Sequence, residues 1–193
     1  MKKILDKIEF LKNTPSDINE HLQTLMDYSK ECDHVTEFGV RWVVSTWAFI
    51  VYPKRIIFYD IKYDINIEEL KNITKEYDID FEYRISDVLH TEIEQTDLLF
   101  IDTLHRYNQL YLELTIHNKK VNKYIILHDT TLFGHMDEGL YSHASDIVKN
   151  NFTSKNGLKQ AINDFLETDD GKNWIVFREY INNNGLTILK RIK

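Results

Sequence analysis

Thiols are nearly absent from this 193-residue chain, in which Cys32 is the single cysteine. An internal disulfide is therefore impossible, and a reducing cytoplasm is the expected setting. Glycine and proline are scarce as well, at six and two copies, and no Gly/Ser linker, repeat or low-complexity tract divides the chain. One domain is expected, with residues 1–32 as a helical cap on a core of 33–193. Apolar runs are short, and none approaches the ~20 residues that span a bilayer. The opening MKKILDKIEFLKN carries Asp6 and Glu9, so the unbroken apolar region of a secretory signal is missing. It reads as an amphipathic helix with Ile4, Leu5, Ile8 and Leu11 on one face. Basic charge is in deficit: 24 Lys and Arg against 31 Asp and Glu leave a formal charge of −7. Nucleic acid is thereby disfavoured as a partner, because phosphate contacts need clustered Lys and Arg. No segment recommends a membrane.

What is present suffices for a core: 42% of residues are hydrophobic and 12% aromatic. Thr14-Pro15-Ser16-Asp17 reads as a helix start, with Thr14 as cap and Pro15 at the first helical position. Ile18, Leu22, Leu25 and Met26 then follow at helical spacing. From there strands and helices alternate. His34 to Phe38 is a short strand closed by Gly39, followed by a helix from about Val43 to Val51 that Pro53 ends. RIIFYD (Arg55 to Asp60) is the second strand, NIEELKNITKEYD a helix and FEYRISD (Phe81 to Asp87) the third strand. DLLFID is the fourth strand, Arg106 to Lys119 a helix and KYIILHD the fifth strand. A long, poorly patterned loop covers 130–156, and GLKQAINDFLET returns to helix. Two alternating strands around Asn184-Gly185 close the chain as a hairpin.

The fold class expected is α/β. It is a Rossmann-like, doubly wound, mostly parallel seven-stranded sheet with a C-terminal antiparallel hairpin and helices on both faces. Ligands of such sheets bind beyond the carboxyl ends of the strands. Asp60, Asp87, Asp102 and Asp129 all fall at those ends, on one rim. A single acid there is commonly a helix cap; four together point to a site. Asp60 is suited to the two hydroxyls of a ribose, whether of a nicotinamide dinucleotide or of S-adenosylmethionine. Gly39 permits a tight turn and a close backbone approach. Ser45 and Thr46 lie in the first turn of the next helix, where free N–H groups favour an anion or a carboxylate. Glu37, inside an apolar strand, needs a partner; that is a basic side chain of the protein or a ligand's ammonium group.

EFGVRWVVST, DLLFIDTLHRYNQL and KYIILHDTTLFG, followed by GLKQAINDFL and NNNGLTIL, resemble class I S-adenosylmethionine-dependent methyltransferases. The branch resembled is the one of cephalosporin-hydroxylase-like and sugar O-methyltransferases, with phage and bacterial relatives. The shared features are an ID-x-x-H-x-Y pattern (Ile101-Asp102, His105, Tyr107) and an HDT pattern (His128-Asp129-Thr130). The resemblance runs from about Val35 to Leu189. It implies methyl transfer to a hydroxyl of a small molecule, sugar or glycan, with S-adenosyl-L-methionine held by Glu37, Gly39, Asp60, Asp87 and Asp102. Arg41, Ser45 and Thr46 lie beside that cofactor site. The sequence departs from the family where a second glycine is usual: the position is Val43, preceded by Trp42.

Methyl transfer from a sulfonium is an in-line displacement in which the protein positions the reactants. A hydroxyl acceptor must also lose a proton. His105 and His128, with Asp129, are the candidates for that step. Asp102 and Asp129 are candidate ligands of a divalent cation such as Mg²⁺, the other way to lower a hydroxyl's pKa. Tyr107 and Thr130 are candidate substrate contacts. In the loop, His135, His143 and the Asp137-Glu138 pair are read either as a lid or as a solvated surface. The competing readings are a methyltransferase fold kept as a non-catalytic binding or assembly module, motivated by Trp42 and Val43, and a nicotinamide-dependent oxidoreductase. The latter lacks its three-glycine fingerprint. A homo-oligomer stays open.

Overall fold

The structure is a computed structural model, and it describes residues 1–151 and 153–193. Two helices come first, α1 (Lys2–Lys12) and α2 (Leu22–Ser29). They are followed by β1 (His34–Phe38), α3 (Thr46–Phe49), β2 (Arg55–Asp60), α4 (Ile67–Glu76) and β3 (Asp80–Ile85). Then come β4 (Thr96–Ile101), α5 (Tyr107–His117), β5 (Val121–His128), α6 (Asp146–Asn150) and α7 (Leu158–Leu166). The hairpin β6 (Trp174–Tyr180) and β7 (Leu186–Arg191) completes the chain.

All seven strands form one sheet in the order β3-β2-β1-β4-β5-β7-β6. The first five are parallel, and β7 lies antiparallel between β5 and β6. The expected Rossmann-like sheet with its closing hairpin is therefore present. The strand order reverses between β1 and β4, so the loops that leave these two strands diverge and open a crevice between them. Both faces of the central strands are covered. Val35, Ile56, Leu98 and Ile126 belong to the apolar layer that contains α1, α2 and α3. Ile57, Leu99, Ile125 and Leu189 pack in the layer with α5 and α7. Double coverage is why these strands read as continuous apolar runs rather than alternating ones. No helix among the described residues is long and apolar enough to cross a membrane.

Two local departures from expectation have clear causes. The Thr14-Pro15 start does not open a helix. Instead the Ser16 N–H donates to Asn19 Oδ1 at 3.1 Å and the Asn19 N–H to Ser16 Oγ at 3.0 Å. This reciprocal pair closes a turn, and α2 begins only at Leu22. The helix expected from Val43 shrinks to a 3₁₀ turn at Arg41–Val43 plus the four-residue α3. Trp42 and Val43 there adopt φ of 65° and 58°, a left-handed conformation that cannot continue a helix.

Candidate active site

A cavity of about 440 Å³ lies beyond the carboxyl ends of β1 to β4. Its floor depends on Gly39, which has φ +81° and packs against β4 so closely that a Cβ would sit 2.0 Å from the Asp102 carbonyl oxygen. No other residue fits both the conformation and the approach. The two residues that replace a glycine pattern do not fill the cavity. Val43 turns its side chain into the core, and Trp42, on the rim, is 58% exposed. Each left-handed non-glycine residue costs about 1–3 kcal/mol, so the loop keeps a glycine-like path at the expense of strain.

Asp60 ends β2 on the cavity wall. The Val40 N–H donates to its Oδ2 at 2.8 Å and the Lys62 N–H to its Oδ1 at 3.0 Å. Both oxygens are thus fixed in direction, with acceptor capacity left for a ligand. Asp87 also lines the cavity, but it caps the turn Val88–His90: the Leu89 N–H donates to its Oδ1 at 3.0 Å. Ser45 and Arg41 lie on the wall, Arg41 stacked on Trp42 at 4.3 Å and 3.5 Å from Asp17 Oδ2.

Glu37 and Thr46 are fully buried behind this wall rather than on it. Glu37 Oε1 accepts from Ser45 Oγ at 2.5 Å, and its Oε2 has no partner. Burial pushes its carboxyl up to about 8, against the lowering effect of that hydroxyl. The unfolded carboxyl titrates near 4.5, so the unfolded chain loses this proton first. Stability contributed by neutral Glu37 is complete below about pH 4.5 and is lost as pH rises towards 8. Glu37→Gln, which stays neutral, should therefore melt like the wild type at pH 4.5 and be more stable by about 2–4 kcal/mol at pH 8.5. Thermal melts at the two pH values check this; an equal offset at both would mean that Glu37 folds as a carboxylate.

At the far end of the cavity β4 and β5 deliver a charged cluster. His105 Nε2 lies 2.9 Å from Asp129 Oδ2 and 3.2 Å from Asp102 Oδ1, and its Nδ1 lies 2.9 Å from Glu138 Oε2. Burial alone would lower the pKa of His105. Its hydrogen bonds to Asp102 and Asp129, and their charges, raise it to about 10 instead. Phe133 stacks on the ring at 4.8 Å. His128 Nδ1 lies 3.3 Å from Asp102 Oδ1 and 3.6 Å from Asp129 Oδ2. Its Nε2 is 3.0 Å from the Asp17 carbonyl oxygen and 3.3 Å from that of Asn183. Carbonyls only accept, so Nε2 carries the hydrogen and Nδ1 is the atom aimed at the two acids. Burial opposes the charge of His128, but Asp102 and then Asp129 raise its pKa to about 9. Asp102 responds in reverse: burial works against its charge, yet the two histidines hold it well below the usual carboxylate range. Asp102 and His105 face the cavity; His128 and Asp129 stand behind them.

The cluster can also hold a divalent cation. One ligand atom each from Asp102, His128 and Asp129 lie within 4.8 Å of one another, and Asp129 Oδ1 is buried without a partner. A histidine whose other nitrogen is fixed by a carbonyl is the usual support of a metal ligand. Two oxygens and one imidazole nitrogen suit Mn²⁺ or Mg²⁺.

Of the remaining candidates, Tyr107 turns away from the cavity and donates to Asp164 Oδ2 at 2.7 Å, beside α7. Thr130 is buried and accepts from Thr187 Oγ1 at 2.9 Å. The Asp137-Glu138 pair is tied down rather than free. The Tyr107 N–H donates to Asp137 Oδ1 at 2.8 Å, capping α5, and the Glu138 N–H donates to the His105 carbonyl at 2.8 Å. Further along the loop, His143 reaches Lys62 across the mouth at 3.0 Å. His135 is exposed and lies off the cavity lining. Gln109 and Lys62 on the wall carry no sequence signal of their own, and Glu138, read only as half of an acidic pair in the loop, gives no sign that it meets His105. Each becomes visible only once the loops are in place.

No protein-family model matches the sequence, and no curated protein is detectably similar to it. Solved structures are similar to the fold. The N-methyltransferase NodS from Bradyrhizobium japonicum WM9, in complex with S-adenosyl-L-homocysteine, has a TM-score of 0.62 and 13% identity over 98% of this chain and 99% of that one. A Staphylococcus aureus protein assigned as a caffeoyl-CoA O-methyltransferase also scores 0.62, at 14% identity over 98% and 91%. An S-adenosylhomocysteine-bound methyltransferase from Podospora anserina scores 0.58, at 15% identity over 97% and 87%. At these identities the likeness is one of fold, and the fold is that of Rossmann-like methyltransferases.

Proposed function

We propose that the chain is an S-adenosylmethionine-dependent methyltransferase acting on a hydroxyl of a small molecule or sugar. The observation that carries this reading is one continuous cavity with Asp60 at one end and the Asp102–His105 edge of the charged cluster at the other. Asp60 suits the ribose hydroxyls, and the Gly39 turn lets the cofactor's backbone-hugging portion lie close to β1. The neighbours of this fold that hold S-adenosylhomocysteine lend the cofactor further support.

In the transfer the acceptor oxygen bonds the methyl carbon as the carbon–sulfur bond breaks. The sulfonium becomes a thioether, and the hydroxyl proton leaves. His105 is the member of the buried cluster whose ring borders the cavity. Because its neighbours raise its pKa to about 10, it takes that proton only in its neutral form, so transfer should rise with pH up to about 10. Asp129 and Glu138 place carboxylates at 2.9 Å from its two ring nitrogens. His128 and Asp129 hold charge behind it. A divalent cation at Asp102, His128 and Asp129 would lower the pKa of a nearby hydroxyl. A non-catalytic module is disfavoured by the open cavity and by the outward-turned Trp42.

Titration with S-adenosylmethionine and S-adenosylhomocysteine, by calorimetry and thermal shift, tests the reading. At ~100 times its dissociation constant a ligand stabilises by ~2.7 kcal/mol, which raises the melting temperature of a chain this size by ~5–10 °C. Failure of both ligands to bind would remove the cofactor and return the binding-module reading.

A further inference from the structure

One stretch of chain bridges the mouth of the cavity, and the proposed transfer makes no use of it. Residues 139–145 run from Glu138 to the start of α6, and Tyr141, His143, Ala144 and Ser145 of this stretch line the cavity. Both of its ends are fixed. At the first, the Glu138 N–H donates to the His105 carbonyl at 2.8 Å, and Arg106 Nη1 donates to the Glu138 carbonyl at 2.6 Å. At the second, Asn108 Nδ2 donates to the Val148 and Asn151 carbonyls, each at 3.0 Å.

The span between these ends is loosely held. Residues 139–143 are all exposed, and only Ala144 is buried. Among the described residues, no backbone group of 139–144 makes a backbone hydrogen bond outside the span. Two side-chain bonds remain. The Tyr141 hydroxyl donates to Glu138 Oε1 at the near end, and Lys62 Nζ donates to His143 Nδ1 at 3.0 Å. Only the second reaches the opposite wall, where Lys62 follows the end of β2. An ammonium group can only donate, so His143 Nδ1 accepts and the imidazole is neutral. A segment with so few buried contacts opens at small free-energy cost. Gly139 is its natural pivot: it comes directly after the fixed Glu138 carbonyl, and a Cβ there would meet nothing within 4 Å.

We propose that residues 139–145 are a strap that swings about Gly139 to admit and release the cofactor. Lys62 on His143 latches it shut, and this latch sets the rates of entry and exit while leaving the affinity alone. The inference rests on the cofactor reading above. Both partners of the latch belong to the protein, so it steadies the shut strap equally with and without cofactor beneath. Losing it raises the open fraction of both states by the same factor. Entry and exit then accelerate together, and their ratio holds, because an interaction made alike in both states shifts no binding equilibrium. Opening at Gly139 also leaves Glu138 beside His105, so the charged cluster stays assembled while the strap moves.

The test is surface plasmon resonance of the full chain with S-adenosylhomocysteine, on the wild type, His143→Ala, Lys62→Ala and the double variant. Both side chains are exposed, so the variants fold, and Lys62→Ala keeps the backbone N–H that holds Asp60 Oδ1. In each single variant the association and dissociation rate constants should both rise by about threefold to tenfold. The dissociation constant should stay within about twofold. The double variant should match the single ones, because the same bond is lost only once. A faster dissociation with unchanged association would make these side chains ligand contacts, and unchanged rates in His143→Ala would make the strap static. Either result overturns the inference while the cofactor reading stands. Absence of binding by the wild type overturns both.

Discussion

Asp60→Ala should weaken S-adenosylhomocysteine binding by about thirtyfold to a thousandfold, equivalent to about 2–4 kcal/mol. The size follows from what the carboxylate does in the fold. Its two oxygens are already aimed by the Val40 and Lys62 N–H groups, so no side-chain freedom is lost when a ribose arrives. Hydrogen bonds to a charged acceptor are worth about twice those between neutral groups, and a diol meets both oxygens. Alanine removes these bonds and also releases two backbone N–H groups, which loosens the turn after Gly39. Asp60→Asn separates the two effects. It keeps one accepting oxygen for the turn but presents a donor in place of the other, so affinity should still fall by about tenfold. Calorimetric dissociation constants for the three proteins decide the matter. Unchanged affinity in Asp60→Ala would remove Asp60 from the ligand site, and with it the direction in which the rest of the cavity has been assigned.

Much of this frame is legible in the sequence because parallel strands covered on both faces must be apolar until they leave the sheet. RIIFYD, DLLFID and KYIILHD therefore announce both a buried strand and the place where it meets solvent or ligand. The hairpin is legible for a different reason: Asn183, Asn184 and Gly185 take φ of 47°, 67° and 96°, and asparagine and glycine adopt that region most readily. The Arg41–Phe49 segment misleads because apolar spacing reports burial and says nothing of φ. Trp42 and Val43 are strained by tertiary context, which no local pattern encodes.

Helix α5 misleads in the same way. Gln109, Glu113 and His117 recur every four residues on one face and look like a solvated stripe. In the fold they face inwards, and His117 Nε2 lies 2.9 Å from the Val88 carbonyl oxygen. A polar residue on a helix is read as exposed unless something shows what it packs against. Glu138 is hidden by distance along the chain, since 33 residues of sequence separate it from His105. The cluster's acids and histidines were visible one by one. Their convergence depends on the β4–β5 register, in which Ile101 stands beside Leu127, so that Asp102 and His128 leave the sheet together.

That convergence underlies the second large effect. Asp129→Asn and His128→Ala should each lower Mn²⁺ affinity by more than about a hundredfold, since even the supporting partners of a ligand are worth about tenfold to a hundredfold. Binding of S-adenosylhomocysteine should change by less than about threefold, because neither residue lines the cavity and the bonds lost are not the cofactor's. The split between the two ligands is the informative part. A histidine that only braces the fold would weaken both when removed. One whose Nδ1 points at two carboxylates, with Nε2 committed to the Asp17 and Asn183 carbonyls, should cost the cation alone. Methyl transfer to hydroxyl acceptors, followed with labelled S-adenosylmethionine, should fall by about 10²–10⁴ in both variants. Equal Mn²⁺ binding by wild type and both variants would leave the cluster as a buried ion network. In that case His105→Ala becomes the decisive variant: full activity there would end the case for proton removal at this edge of the cavity.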